Sequence, residues 1–334
     1  MNKKGGAGMA FLLVILLIVL GASLYVLYLN LPGEVQKLKQ INGFGDDSID
    51  NNGPILEGNY NASEQFYKNM RFPDKKITYF IESLCNEKKK SEVLEAFSIL
   101  ESRTSLIFAE ADKKTDAQIL IICSELAPEP EQEGHFIAGE GGPTEIINTS
   151  LYSVIFAGKM SLYKDDKCST THVALHELLH VLGFNHNNNP ESILYPTLNC
   201  EQKLDNYLVD ELNGLYLNPG YADLKISGVW ATKSGRYLDF EVNVTNQGLK
   251  NAEKSNVKVY GDGEIMKFED PVTKITYDYL DLGEIEVGTT KIMSVANGKL
   301  SSRSVKQITF VVDEENKIKE LFENNNQIKL EIEG

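Results

Sequence analysis

Hydrophobic positions are spaced unevenly along the chain, and their spacing predicts three different kinds of region. Residues 9–31 are apolar almost without interruption and contain no charged side chain. Residues 71–218 mix short apolar runs that alternate with a period of two and longer runs with a helical period. From residue 220 onward, alternating strands are separated by turn clusters, which is typical of an all-β sandwich.

The N-terminal apolar segment is long enough to cross a membrane. As a helix its 23 positions reach about 34 Å, compared with a hydrocarbon core of about 30 Å. Residues 1–8 include Lys3 and Lys4, and positive charge on this side favours a cytoplasmic N-terminus. We therefore predict a signal anchor over residues 9–31, with the rest of the chain outside the cell. A signal peptide cleaved at Gly21-Ala22-Ser23 is the alternative, and the protein would then be secreted.

The periodicity of the middle region predicts an α+β unit. Residues 32–70 contain five glycines and few periodic apolar positions, so they are predicted to be a flexible tether. A loop is predicted over residues 131–143, which contain glycine and proline. The predicted strands and extended segments are 77–81, 106–109, 117–123, 145–155 and 159–163, and the predicted helices are 87–102, 171–182 and 204–216.

Composition and charge narrow the possible functions. The 334 residues suggest about two domains, and 42% hydrophobic with 24% charged residues is an ordinary globular composition. Forty-eight acidic against 33 basic side chains give a net charge of −15, which repels phosphates and argues against a nucleic-acid partner. All five histidines lie between His135 and His186, so this segment is the first place to look for chemistry.

The decisive motif occupies residues 176–186, which read HELLHVLGFNH. His176 and His180 are four residues apart, so on a helix both imidazoles lie on one face and can bind the same zinc ion. Glu177 points about 100° around the helix and can take a proton from a water molecule at the metal. For His186 to become the third ligand, the helix must break, and Gly183 accepts the left-handed backbone that a break requires. Three neutral imidazoles and one open position predict a catalytic zinc site.

This motif resembles the zinc-binding sequence of the metzincin endopeptidases. Downstream, residues 192–196 read SILYP and are similar to the methionine turn of the matrixins, except that Leu194 replaces the methionine. That residue packs beneath the metal without binding it, so we expect the leucine to cost little. The start of the unit, RFPDKKITY at residues 71–79, also looks like the start of a matrixin catalytic domain. The resemblance covers residues 71–218.

The resemblance implies a fold, a substrate and a reaction. It implies a metzincin-like twisted sheet that carries the active-site helix, with a peptide substrate lying along an edge strand, predicted at Glu145–Ile155. It implies hydrolysis of peptide bonds, with Glu177 as general base and one catalytic zinc ion bound by His176, His180 and His186. His172, one turn earlier, is predicted to support or cap the site rather than to bind the metal, and His135 is predicted to be a surface residue.

The four cysteines lack the close pairing of a zinc cage, and an exported domain favours disulfides. Cys85 and Cys123 follow the first and third predicted strands, which are neighbours in the metzincin sheet. Cys168 precedes the active-site helix and Cys200 follows the turn. The resemblance therefore implies the pairs Cys85–Cys123 and Cys168–Cys200.

The C-terminal region shows a second resemblance. The sequences ADL at 222–224, VTNQG at 244–248, VVD at 311–313 and ELFENN at 320–325 resemble the CARDB type of immunoglobulin-like domain, which occurs on prokaryotic cell-surface proteins. The resemblance implies adhesion to a surface ligand, substrate presentation or spacing, and a passive spacer is an equal alternative. A structural calcium ion could be bound by the acidic residues Asp313, Glu314 and Glu315, but a solvated turn explains these residues equally well.

Together these observations predict an extracytoplasmic, membrane-anchored zinc endopeptidase with an appended β-sandwich. The alternative is a cell-surface adhesion or binding protein whose metzincin domain is inactive; the complete histidine triad and Glu177 argue against it. The predicted organisation is a cytoplasmic N-terminus at 1–8, a transmembrane anchor at 9–31, a tether at 32–70, a matrixin-like protease at 71–218 and a CARDB-like sandwich at 220–334.

Overall fold

The computed structural model describes residues 16–23, 35–40, 65–129, 137–163, 171–270 and 272–332, with 35–40 as backbone only. Two hydrophobic cores are present, one drawn from residues 70–216 and the other from residues 222–330. The first belongs to an α+β unit and the second to a β-sandwich.

The N-terminal part of the chain contributes one short helix and one strand. Helix α1 covers residues 16–23, and the large apolar side chains of residues 16–20 are exposed. The remainder of the predicted span 9–31 lies outside the described residues. Among the helices that are described, none is both long and apolar enough to cross a membrane. Strand β1 covers Val35–Gln40.

The α+β unit follows the predicted order of elements. Its strands are β2 (Met70–Arg71), β3 (Lys76–Ile81), β4 (Ile107–Glu110), β5 (Ile119–Cys123), β6 (Gly139–Asn148) and β7 (Ser153–Leu162), and its helices are α2 (Glu87–Arg103), α3 (His172–Val181) and α4 (Asn206–Leu215). A short 3₁₀ turn covers Lys114–Asp116. Asn86 caps α2 by accepting a hydrogen bond from the Lys89 backbone N–H at 2.9 Å. Four apolar side chains of α2 at helical spacing are buried: Val93, Ala96, Phe97 and Leu100.

Strand β6 lies at an edge of the sheet as far as the described residues show. Strand β7 pairs with parallel β5 and β2 along one side and with antiparallel β6 along the other. Helix α3 packs against β6 and β7. The predicted edge, Glu145–Ile155, was wrong in its bounds, because a turn at 149–152 divides it between β6 and β7. Residues 139–143, predicted as part of a loop, instead begin β6.

The first predicted disulfide is confirmed. Strands β3 and β5 are parallel neighbours, and the residues that follow or end them, Cys85 and Cys123, are bonded to each other. Cys200 is also disulfide-bonded. Its predicted partner, Cys168, lies outside the described residues.

The sandwich is built from strands of both ends of the chain. Its strands are β8 (Leu224–Ser234), β9 (Tyr237–Asn246), β10 (Ala252–Gly261), β11 (Glu264–Ile265), β12 (Phe268–Glu269), β13 (Thr276–Tyr277), β14 (Leu280–Ile285), β15 (Thr290–Lys299), β16 (Gln307–Val312) and β17 (Gln327–Ile332). Strand β1 lies between β17 and β8 and is antiparallel to both. The interpretation of residues 32–70 as a tether did not include this strand, because its stability comes from backbone pairing with distant segments.

The two units contact each other at the turn between β6 and β7. The Ser150 hydroxyl donates a hydrogen bond to the Gln247 side chain at 2.5 Å, and Lys250 forms an ion pair with Asp74 at 2.8 Å. A small buried apolar cluster spans the same boundary and consists of Tyr152, Val154, Leu249 and Val287. The sandwich therefore packs against the α+β unit close to the end of the edge strand.

Two buried carboxyl groups join the start of strand β8 to the loop before strand β17. Glu320 accepts hydrogen bonds from the Leu224 backbone N–H and from the Asn326 side chain, the second at 2.9 Å. Asp223 accepts from Gln247 at 2.8 Å. Burial raises the pKa of Glu320 to about 8 and the pKa of Asp223 to about 6, and the charge of Asp223 adds to the shift of Glu320.

These pKa shifts predict that the sandwich is less stable in mild alkali. Both folded-state pKa values exceed the unfolded ones, so stability is full below pH ~4 and falls as the pH rises to about 8. In Glu320→Gln we expect a flatter pH dependence and a higher free energy of unfolding at pH 8. The new amide N–H can donate to the side-chain Oδ1 atom of Asn326, which is otherwise buried without a partner. Urea unfolding followed by the fluorescence of the single tryptophan, Trp230, measures this; an unchanged slope between pH 5 and pH 8 would contradict it.

Candidate active site

Helix α3 and the turn after it place the three predicted ligands together. All side chains from Val173 to Val181 are buried. Gly183 follows with φ of 98°, and a Cβ there would come within 2.6 Å of the Met70 side chain. A left-handed backbone and the close approach both require glycine at this position. The chain turns back at this point, as predicted, and carries His186 to the face of α3 that holds His176 and His180.

The three imidazoles converge on one point. Their Nε2 atoms are 3.0 Å apart for His176 and His180, and 3.2 Å apart for each pair with His186. The Nδ1 atom of His176 lies 2.6 Å from the Ile193 carbonyl oxygen, and that of His180 lies 2.7 Å from the Phe184 carbonyl oxygen. Because a carbonyl can only accept, these Nδ1 atoms carry the protons, and the Nε2 lone pairs face each other. Such a set of acceptors fits a cation, and nitrogens at this spacing suit one zinc ion at about 2.0–2.1 Å.

The protonation state of the triad also fits a metal. Burial, reinforced by the neighbouring imidazoles, lowers the pKa of His176 to about 3 and that of His180 to about 4. Burial also lowers the pKa of His186. All three rings are therefore neutral near pH 7, the state in which imidazole binds a metal. In the described part of the chain, this triad is the one group of side chains found that could hold a metal ion.

We predict that bound zinc resists mild acid. Protons compete with zinc for the imidazoles, and the lowered pKa values move this competition below the ordinary histidine value of about 6.5. Zinc content after dialysis from pH 7 to pH 4 should therefore fall by half only at a pH below the ordinary histidine pKa of about 6.5. His172→Ala should keep its zinc and His186→Ala should lose it at every pH. Half-release near pH 6.5, or equal loss in the two variants, would contradict the prediction.

Glu177 lies between the helix and the edge strand. Its side chain is buried, and its carboxylate accepts a hydrogen bond from the Gly141 backbone N–H. Burial, and next the charge of Glu140, raise the pKa of Glu177 to about 8, while the Gly141 N–H opposes the shift. A Cβ at Gly141 would lie 2.1 Å from the Glu177 carbonyl oxygen, and one at Gly139 would lie 2.7 Å from Glu177 Cγ. The glycines that looked like a loop therefore allow β6 to approach α3 closely.

The turn predicted to support the metal does so through its backbone. Leu194 is fully buried, and the preceding Ile193 carbonyl orients His176. The Ser192 hydroxyl accepts from the Asn187 amide at 2.7 Å and donates to Asp205 at 2.5 Å. These bonds fix the turn between the metal-binding loop and helix α4. Support of this kind holds a ligand ring in one orientation.

Other predicted features lie outside the triad. His172 Nε2 is 2.8 Å from the Gln202 carbonyl oxygen, so it contacts the loop after the turn. His135 lies outside the described residues. The acidic turn at 313–315 forms ion pairs within the protein. The Nζ atom of Lys258 lies 2.9 Å from a carboxylate oxygen of Glu314 and 3.3 Å from one of Glu315.

Sequence reasoning missed one segment beside the site. Gln65 and Phe66 come from the predicted tether, yet the Phe66 N–H donates to the Gly183 carbonyl at 2.9 Å and its ring lies 6.0 Å from that of His180. The Gln65 amide bonds both the N–H and the C=O of Met70. No hydrophobic period marks these residues, so only the fold reveals that they brace the loop that carries the third histidine.

Comparison with known proteins agrees with this geometry. Residues 71–216 match the Matrixin family and residues 221–329 match the CARDB family. No curated protein matches the chain. Among solved structures, a CARDB domain from Pyrococcus furiosus, described as a complex with di-metal ions, is 20% identical over 34% of this chain and 88% of its own, with a TM-score of 0.23. Both predicted resemblances are confirmed: the chain contains a segment that matches the Matrixin family, at residues 71–216, followed by a segment that matches the CARDB family, at residues 221–329.

Proposed function

We propose that this protein is an extracytoplasmic, membrane-anchored zinc endopeptidase that hydrolyses peptide bonds with Glu177 as general base. The observation that carries the proposal is the convergence of three Nε2 atoms beside a buried carboxyl group. Closed structural zinc sites use four protein ligands, whereas three leave a position for water and substrate. The arrangement therefore favours catalysis over a structural role for the metal.

The substrate is proposed to bind as an added strand. One side of β6 pairs with β7, and its other side pairs with no strand in the described part of the chain. An extended peptide can form hydrogen bonds with the N–H and C=O groups on that side of β6. These bonds hold the backbone of the peptide rather than its side chains. Because Gly139 and Gly141 contact Glu177, a peptide on this edge passes beside the carboxylate and the triad.

The residues of the site have separate roles in the proposed hydrolysis. A zinc ion held by His176, His180 and His186 supplies Lewis acidity, which lowers the pKa of a water molecule and polarises the scissile carbonyl. Glu177 accepts the proton of the attacking water and passes it to the leaving amine. The Gly141 N–H stabilises the ionised carboxylate, while burial favours its protonated form. These opposed influences suit a group that must both take up and release a proton.

Membrane anchoring is the second part of the proposal. Its support is the uncharged apolar run at 9–31 and the exposed apolar side chains of helix α1. Lys3 and Lys4 favour a cytoplasmic N-terminus and an external catalytic unit. Cleavage at Gly21-Ala22-Ser23, the alternative to an anchor, would release the same enzyme into the medium.

Zinc analysis combined with a cleavage assay tests the catalytic proposal. Purified protein should contain one zinc ion per chain, digest casein and cut a broad peptide library, and removal of zinc by a chelator should abolish both activities. Added zinc should restore them. One bound zinc ion per chain with no cleavage of casein or the library would contradict the proposal and favour a surface-binding protein with an inactive site.

A further inference from the structure

We propose that the CARDB sandwich, and not the protease, is the part of this protein that lies on the membrane, with the loop at residues 299–306 against anionic lipid headgroups. The order in space would then be anchor, sandwich and catalytic unit, although the protease comes before the sandwich in the sequence. This inference rests on the proposed membrane anchor. It assigns a partner, a lipid surface, to one end of the sandwich.

The first step is the place where the chain enters the sandwich. The predicted span ends at Leu31 and strand β1 begins at Val35, so four residue steps separate them, a reach of at most about 14 Å. Val35 pairs with Ser234, the last residue of β8. The end of the sandwich that contains Ser234 must therefore lie close to the membrane surface.

The second step is the place where the protease is attached. Strand β8 begins at Leu224, which pairs with Asn246 at the end of β9. Gln247, Leu249 and Val287, which contact the protease, lie directly after β9 or before β15. They belong to the opposite end of the sandwich from Ser234. Strand β8 has 11 residues and spans about 35 Å between the two ends.

The third step is the charge of the two ends. The loop 299–306, which follows β15 at the Ser234 end, carries three exposed cations and no carboxylate: Lys299, Arg303 and Lys306. The nearby Asp262 carboxylate accepts backbone N–H groups of Lys306 and Gln307. The loop 313–326 at the protease end carries five acidic and two basic residues, and the acidic excess remains when the buried Glu320, whose pKa is raised to about 8, is counted as neutral. An anionic membrane attracts the first of these loops and repels the second.

The remaining chain length permits this arrangement. Residues 41–64 connect β1 to the protease at Gln65, and 24 residues can span up to about 80 Å. That reach exceeds the length of the sandwich. The protease can therefore sit at the far end while the N-terminus remains at the membrane.

Energy transfer to the membrane surface tests the order. The full chain is placed in vesicles that contain a lipid with a dansyl headgroup, and the native donor is Trp230, the single tryptophan, 60% exposed on β8. The matched variant moves the donor to the far edge of the protease sheet with Trp230→Phe and Ile107→Trp, since Ile107 is 54% exposed on β4. We expect several-fold greater transfer from Trp230 than from the moved tryptophan. Equal or greater transfer from position 107 overturns the proposal.

Further results distinguish a failure of the proposed membrane anchor from a failure of the proposed orientation. Protein that does not float with vesicles overturns the anchor, and the inference falls with it; protein that floats with the reversed order of transfer overturns the inference alone. The loop 299–306 should exchange its amide hydrogens several-fold more slowly on anionic than on zwitterionic vesicles. Lys299→Glu/Arg303→Glu/Lys306→Glu should lose this protection, whereas the exposed control set Lys254→Glu/Lys267→Glu/Lys291→Glu should keep it. Equal protection in both sets overturns the headgroup contact.

Discussion

Replacing Glu177 with glutamine is expected to lower kcat/KM for peptide cleavage by about 10²–10⁴-fold, the usual contribution of a general base. The amide has nearly the same shape and can still accept the Gly141 N–H, but it cannot take up a proton. Because Glu177 is not a member of the metal-binding triad, the zinc content should stay at one ion per chain. Cleavage of a fluorogenic peptide and zinc analysis of the same preparation measure both quantities.

A carboxylate far from the cleft provides the control. Glu110 is exposed on β4, at the far edge of the sheet, and Glu110→Gln should leave both kcat/KM and zinc content unchanged. A drop confined to Glu177→Gln then reports the proton transfer and not a general effect of removing one negative charge. If Glu177→Gln retained more than a tenth of the wild-type kcat/KM, another group would have to serve as the base.

The chemistry of the site could be predicted from sequence because it depends on local spacing. Two histidines four residues apart on a helix, followed by glycine, determine the geometry almost without help from the rest of the fold. The turn at 192–196 was recognisable for the same reason. The parts that sequence did not reveal depend on contacts between distant segments. Gly139 and Gly141 looked like loop residues. Glycine is required at both positions because Glu177 approaches closely, and Glu177 is 36 residues or more away in the chain.

The same difference between local and long-range contacts explains which parts of the fold could be predicted. Helices α2 and α3 and the first strands of the sheet were predicted, because their apolar positions repeat within a few residues. Strand β1 was missed because it has six residues and pairs with β8 and β17, some 200 to 300 positions away. No local pattern encodes such pairing. The long-range arrangement, and not the catalytic motif, is therefore where the structure adds most to the sequence.

The second large expected effect concerns the fold of the protease and comes from Arg71. Its side chain is fully buried, and its guanidinium donates to the backbone carbonyls of Phe72 at 2.9 Å, Pro73 at 2.8 Å and Asn218 at 3.0 Å. A further bond reaches the Leu215 carbonyl at the end of helix α4, and the group stacks 4.4 Å above the Tyr216 ring. Arg71 thus joins the first residues of the catalytic unit to the last.

In Arg71→Met we expect the free energy of unfolding of the protease to fall by about 3–5 kcal/mol, because several carbonyls that receive charged donors lose them together. Methionine fills part of the volume, so the loss reports hydrogen bonds more than a cavity. The control, Arg103→Met, removes an exposed arginine that bonds Leu204 and Asn206, and it should cost under about 1 kcal/mol.

Circular dichroism of the helices measures the protease, and Trp230 fluorescence measures the sandwich in the same urea titration. Arg71→Met should shift the unfolding transition seen by circular dichroism more than the one seen by fluorescence, since Trp230 lies in the sandwich. Equal effects of the two arginine replacements would show that the buried guanidinium is not what fixes helix α4. If instead both transitions shifted together, the interface at Ser150, Gln247 and Leu249 would be strong enough to make the two units unfold as one.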